Sequence, residues 1–170
     1  MRDPQPVEVE ALIERRRRLG QDLFDEMWDG VLHMNPAPAF WRAVLESQLT
    51  RLLGPLADAG GLTITGLFNV GESANDYRVP DLGLHRAGAS GVWLPTAALV
   101  VEIISPDDES LDKLSFYAKH KVDEVLIVDP EKRTVDWLAL AGDTYRPVER
   151  SALIELGPGE LAQLIDWPQS

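Results

Sequence analysis

Residues 97–104, Ala-Ala-Leu-Val-Val-Glu-Ile-Ile, are apolar on both alternating faces except for one carboxylate, Glu102. A strand that is apolar on both faces must be covered on both, as a central strand flanked by helices is. That requirement excludes a simple half-exposed ribbon. It also makes Glu102 the anomaly of the chain, because an unpaired buried carboxylate costs several kcal/mol even after relaxation. The fold must supply a partner: a cation, a metal or a proton. Hard divalent cations such as Mg²⁺ take carboxylate oxygens, and an arginine at a sheet end would serve as well. Spacing alone leaves both open.

The elements around this strand set the fold class. Val7 to Leu19 reads as a helix ending in Arg15-Arg16-Arg17-Arg18 before Gly20. Four consecutive residues point in every direction, so at most two arginines share a face, and a solvated helix end is the simplest reading. Asp29-Gly30 signals a turn, and Val31 to Met34 a short strand. Phe40 to Leu53 carries Val44, Leu45, Leu49, Leu52 and Leu53 at helical spacing. A strand over Leu62 to Val70, a polar loop from Gly71 to Arg78 and a short strand over Pro80 to His85 follow.

After the central strand, Ser105-Pro106-Asp107-Asp108 offers helix-start chemistry, a capping hydroxyl then proline and acids, for a helix running to about Lys121. Val125 to Val128 is a second buried strand. Thr134 to Leu140 and Thr144 to Val148 form a hairpin turning at Gly142-Asp143, and Glu160 to Ile165 is a short helix. The expected architecture is α/β with α+β character: a central mixed sheet flanked by helices. With no repeat and no linker, residues 1–170 read as one domain carrying an N-terminal helical extension.

Composition narrows the function. The formal net charge is −12, which disfavours a broad phosphate-binding surface unless a metal or a dimer cleft concentrates positive charge locally. There is no cysteine, hence no disulfide framework and no thiolate site, in keeping with a reducing cytoplasmic setting. No apolar stretch is long enough to span a bilayer, and none follows the N-terminal Met1 to Pro6 as a signal-peptide core would. His33, His85 and His120 lack metal-ligand spacing and read as structural or exposed; no glycine-rich phosphate loop or nucleophile elbow occurs. The five tryptophans are scattered, which suits core or interface roles.

Asp81 follows Pro80 at the start of a short strand, where a carboxylate can reach a cleft at the sheet edge. Together with Glu102 and the downstream Lys113 it makes a constellation. Pro80-Asp81 followed by Val101-Glu102-Ile103 resembles the PD-(D/E)xK nuclease superfamily. The wider pattern resembles its Uma-two branch of restriction-endonuclease-like proteins. The stretches that carry this are Asp25 to Gly30 with Pro36-Ala37-Pro38, Arg78 to Asp81, Val101 to Pro106, Asp112-Lys113 with Tyr117, and Glu124 to Pro130. They cover most of the chain in order.

The superfamily pattern places a lysine two residues after the glutamate. Here that position is Ile104, which shares a strand face with Glu102 and has no amine. The resemblance implies that the lysine has moved to the next helix, at Lys113, with Tyr117 four residues on along the same face. Where the family often has a histidine after the proline-rich turn, this chain has Phe40-Trp41-Arg42. Glu26 resembles an N-terminal acid of the family that could help hold a metal, while a helix-end glutamate is more often solvated, and Arg78 could touch a phosphate or cap its loop.

The resemblance implies a restriction-endonuclease-like core and metal-dependent phosphodiester hydrolysis, with DNA as substrate. Asp81 and Glu102 would hold Mg²⁺ or Mn²⁺, and Lys113 and Tyr117 would complete the catalytic set. A homodimer is expected, with the terminal hairpin and exposed tryptophans as its interface. The rival reading is a catalytically inactive binding or dimerisation module in which an internal lysine neutralises Glu102. A small-molecule hydrolase using the same carboxylates suits the charge but has no motif behind it.

Overall fold

The computed structural model describes residues 7–105 and 110–168. Helix α1 (Val7–Arg18) leads to a hairpin of β1 (Glu26–Trp28) and β2 (Val31–His33), then to the long helix α2 (Phe40–Ala59). Next come β3 (Thr63–Thr65), β4 (Asn69–Ser73), β5 (Asp76–Arg78), β6 (Leu82–His85), β7 (Trp93–Leu94) and β8 (Leu99–Ile103). A 3₁₀ turn (Ser110–Lys113) runs into α3 (Leu114–Lys119), followed by β9 (Glu124–Asp129), β10 (Thr134–Ala141), β11 (Thr144–Pro147) and α4 (Pro158–Leu164).

The strands form two mixed sheets, of order β11-β10-β9-β8-β6-β3 and β2-β1-β5-β4-β7. In the larger one, β8 and β9 are parallel, joined through α3, and the remaining pairs are antiparallel. Strand β8 is buried at every residue, as its two-faced apolar pattern requires. Leu99, Val101 and Ile103 face one core with Leu126 and Val128 and the α2 stripe Leu45, Leu49, Leu53 and Ala57. Val100 faces a second core with Val125, Ile127, Phe116, Tyr117 and Val70 of the smaller sheet. The protein is therefore the mixed α/β fold expected, a helix-flanked central mixed sheet, and it carries a second sheet beyond that expectation.

Four local readings need correction. Leu62 to Val70 is not one strand: β3 edges the larger sheet, the chain bends at Gly66-Leu67, and β4 joins the smaller one. Gly71 to Arg78 is not a loop but the β4–β5 hairpin, with a register shift between Gly71 and Ser73. Its exposed polar residues hid it, and Gly71 at φ 152 lies against Asp76 and Tyr77 where a Cβ would collide. Helix α2 runs past Leu53 and through Pro55 to Ala59, because Leu53 and Ala57 continue its buried stripe. The helix after Ser105 stops at Lys119, since Lys121 turns to φ 55. The helix-start residues Pro106, Asp107 and Asp108 and the N-terminal Met1 to Pro6 lie outside the described residues.

The Asp29-Gly30 turn has positive φ at both residues, 47° and 84°, as a two-residue hairpin with right-handed strand twist needs. Of the four arginines, Arg16 ties α1 to Asp25 at 2.6 Å and donates to the Gln21 carbonyl. Trp137 is core rather than interface: its indole N–H donates to Glu124 Oε2 at 2.7 Å. Among the described residues no helix is long and apolar enough to cross a membrane.

Candidate active site

Strand register brings the two acids together. Leu84 pairs with Leu99, Gly83 with Val100 and Leu82 with Val101, so the next step sets Asp81 against Glu102. The Asp81 N–H donates to the Val101 carbonyl at 3.0 Å, and its Oδ2 accepts the Ile103 N–H at 2.7 Å. Glu102 leaves β8 on the same face as Val100, towards α3. Ile104 also packs against that apolar cluster and supplies no charge.

The charge comes from the 3₁₀ turn. Lys113 is buried, and its Nζ lies 3.3 Å from both carboxylate oxygens of Glu102. Among the described residues its shortest ion pair, 2.8 Å, is with Glu26 Oε1 at the start of β1. Tyr117 follows Lys113 by one helical turn, and its hydroxyl donates to Glu102 Oε1. Ser110 Oγ stands 3.5 Å from Glu102 Oε2. Glu26 is itself clamped: the Val79 N–H donates to Oε1 and the Trp28 indole N–H to Oε2, each at 2.8 Å.

Asp81 is held by Arg42, from the first turn of α2. The Arg42 Nη2 lies 2.9 Å from Oδ1 and 2.8 Å from Oδ2, and its Nε lies 3.2 Å from Oδ1. Arg42 Nη1 also reaches Ser105 Oγ at 3.1 Å. Glu26, Arg42, Asp81, Glu102 and Lys113 all line one cleft of about 680 Å³, walled by Trp41 and the proline-rich turn.

The electrostatics follow from this crowding. Burial pushes the Glu102 carboxyl up to about 7; the charges of Asp81 and Glu26 add to the rise, and Lys113 opposes it. Asp81 is raised by burial despite Arg42 and the Ile103 N–H. Burial works against the Lys113 charge, but Glu102 and Glu26 outweigh it and drive its pKa up, so the amine keeps its proton. Tyr117 is pushed far up by burial and by Glu102, and stays a neutral donor. With all groups charged, Glu26, Asp81 and Glu102 face Arg42 and Lys113, an excess of one negative charge in a mostly buried site.

The sequence constellation of Asp81, Glu102, Lys113 and Tyr117 thus lies in one place, and two partners join it. Glu26 is more than a helix-end acid: it is a buried strand residue and, among the described residues, the nearest counter-charge of Lys113. Arg42 was visible only as a substitution for a histidine. The signal that could have found it is electrostatic, since a cation in the first turn of a helix opposes the macrodipole and needs a carboxylate to hold it there.

Arg78, by contrast, is a brace. Its guanidinium lies between the Trp28 ring at 4.4 Å and the Phe116 ring at 4.0 Å, and bonds Met27 O and Asp76 Oδ1. His85 is buried against Thr65 and Phe68, His33 stacks on Trp28 at the cleft, and His120 meets the Pro95 carbonyl.

Among the described residues no three His, Asp or Glu side chains converge as a ready ligand set, and Asp107, Asp108 and Glu109 lie outside those residues. Asp81 and Glu102 nevertheless suit a hard divalent cation. Their donors are carboxylate oxygens at an open cleft, and Mg²⁺ commonly takes one or two carboxylates, with water and substrate oxygens completing its shell.

A model of the Uma2 family, described as "Putative restriction endonuclease", matches residues 10–164. No curated protein matches the sequence. The fold is similar to that of a "putative nuclease belonging to DUF820" from Anabaena variabilis, at a TM-score of 0.65 and 14% identity, covering 82% of this chain and 90% of that one. A DrdV–DNA complex aligns at a TM-score of 0.39 and 15% identity, over 73% of this chain and 12% of that one.

Proposed function

The chain belongs to the Uma2 family, and from that membership and the cleft chemistry we propose a metal-dependent endonuclease that hydrolyses phosphodiester bonds in DNA. The observation that carries the reading is the meeting of Asp81, Glu102 and Lys113 at one cleft. Asp81 and Glu102 are the residues that would hold Mg²⁺ or Mn²⁺. A divalent cation at such a site supplies Lewis acidity, polarising a phosphoryl oxygen and making a water more acidic.

The chain's own side chains supply the rest. Lys113, protonated between Glu26 and Glu102, is a cation and donor rather than a base: it orients water or phosphate and offsets developing negative charge. Tyr117 fixes one Glu102 oxygen by its hydrogen bond. Glu26 sets the position of Lys113, and its two donors from Val79 and Trp28 fix its own rotamer. Cutting both strands of a duplex needs two such sites, which favours a homodimer; the exposed edge strand β11 is available for pairing. Residues 1–170 would act as one domain in the cytoplasm, with α1 as its extension.

One observation favours a second reading, an inactive nuclease-fold binding module. Lys113 and Arg42 already compensate most of the acidic charge from inside the protein. Incubating plasmid and single-stranded DNA with the chain in MgCl₂ or MnCl₂ separates the two. Cleavage is expected, and Asp81→Ala and Glu102→Ala should each reduce it to background. No cleavage, with no metal binding by calorimetry, transfers the function to the binding module.

A further inference from the structure

We propose that Arg42 is an internal competitor for the metal: it occupies the Asp81 carboxylate until a divalent cation displaces it, and so sets the affinity of the site. The inference rests on the metal-site reading above and concerns a residue that reading does not use.

It follows from a count of lone pairs. An ionised carboxylate has about four acceptor sites. At Asp81, Oδ1 faces Arg42 Nε at 3.2 Å and Nη2 at 2.9 Å, while Oδ2 faces Nη2 at 2.8 Å and the Ile103 N–H at 2.7 Å. Four contacts use the whole capacity. The Ile103 donor belongs to the β8 backbone and stays, so ligation through Asp81 requires the guanidinium to withdraw. Two cations on one carboxylate also repel each other, which adds an electrostatic penalty to the steric exclusion.

Withdrawal is open to Arg42. It sits in the first turn of α2, on an incompletely buried side chain, and Glu46 one turn later lies 3.9 Å from its Nε. Ser105 Oγ, at 3.1 Å, is a neutral second partner at the cleft wall. A guanidinium moved towards Glu46 remains beside the cleft, where its planar fork suits a phosphate.

Calorimetric titration of the full chain with MnCl₂, without nucleic acid, tests this. Arg42→Gln keeps hydrogen-bonding capacity but removes the charge, and should bind Mn²⁺ about tenfold more tightly than the parent, about 1.4 kcal/mol. Arg42→Met should do the same, and gives a second neutral variant should the first fold poorly by near-ultraviolet circular dichroism. Arg42→Lys keeps a cation without the fork and should fall between parent and Gln. A merely structural arginine predicts the opposite, unchanged or weaker binding in the neutral variants, and that result overturns the proposal. Binding by the neutral variants alone supports it in its strongest form. If neither parent nor variant binds Mn²⁺, the metal-site reading itself fails and takes the inference with it.

Discussion

Glu102→Gln isolates the electrostatic strain at the centre of the protein. The folded-state pKa of Glu102 lies at about 7, above its ordinary 4.5. Between those values the folded chain holds a proton that the unfolded chain has lost, so folding stability falls as pH rises from about 4.5 to about 7. At about 1.4 kcal/mol per pH unit, the full effect is about 3 kcal/mol. Glutamine resembles the protonated acid in shape and charge and cannot ionise.

The metal-free variant should therefore gain on the parent by about 3 kcal/mol between pH 4.5 and pH 8, whatever the offset between them at the acidic end. The Asp81 charge is part of what raises Glu102, so the difference reports these two carboxylates together. Urea denaturation of both proteins in EDTA at several pH values measures it. A difference that stays flat across this range would show that Lys113 and Tyr117 fully offset burial, and the argument for a strained carboxylate would fail. With MgCl₂ at pH 8 the parent should gain stability that the variant does not, because ligand binding to the folded parent alone adds stability.

Lys113→Met leaves Glu26 and Glu102 buried with no amine between them. It should abolish cleavage and cost about 3–5 kcal/mol in urea denaturation at pH 8, with part of the loss recovered by adding Glu26→Gln. Trp137→Phe removes one of the donors to Glu124, whose remaining partners are Ser151 Oγ and the Ala152 N–H. Since Glu124 pairs with Leu99, at the end of β8 away from Glu102, stability should drop by about 1–3 kcal/mol while cleavage per folded molecule is unchanged. A loss of cleavage without loss of stability in that variant would contradict the separation of the two sites.

Much of this protein was legible in residues 97–104. An aliphatic run apolar on both faces can only be a covered strand, and one carboxylate inside it must be answered by something nearby. Asp81, Lys113 and Tyr117 were legible as its neighbours through the family resemblance of the short motifs that carry them, with helical spacing placing Tyr117 on the face of Lys113. The Asp29-Gly30 turn and the α2 stripe were readable because turn chemistry and helical spacing are local rules.

The partners that complete the site obey no local rule. Glu26 and Lys113 are far apart in sequence, and only the packing of the smaller sheet against α3 makes them an ion pair. That sheet itself was hidden, since β4 and β5 are short, half-exposed and polar, and gain their stability from pairing rather than from their own composition. Arg42 reaches Asp81 only because α2 packs against β6, and Arg78, beside the Pro80-Asp81 motif, is drawn away from the cleft by two aromatic rings. Sequence determined which groups had to be buried; tertiary structure decided which charges met them, because an ion pair depends on distance in space and the chain records only distance along itself.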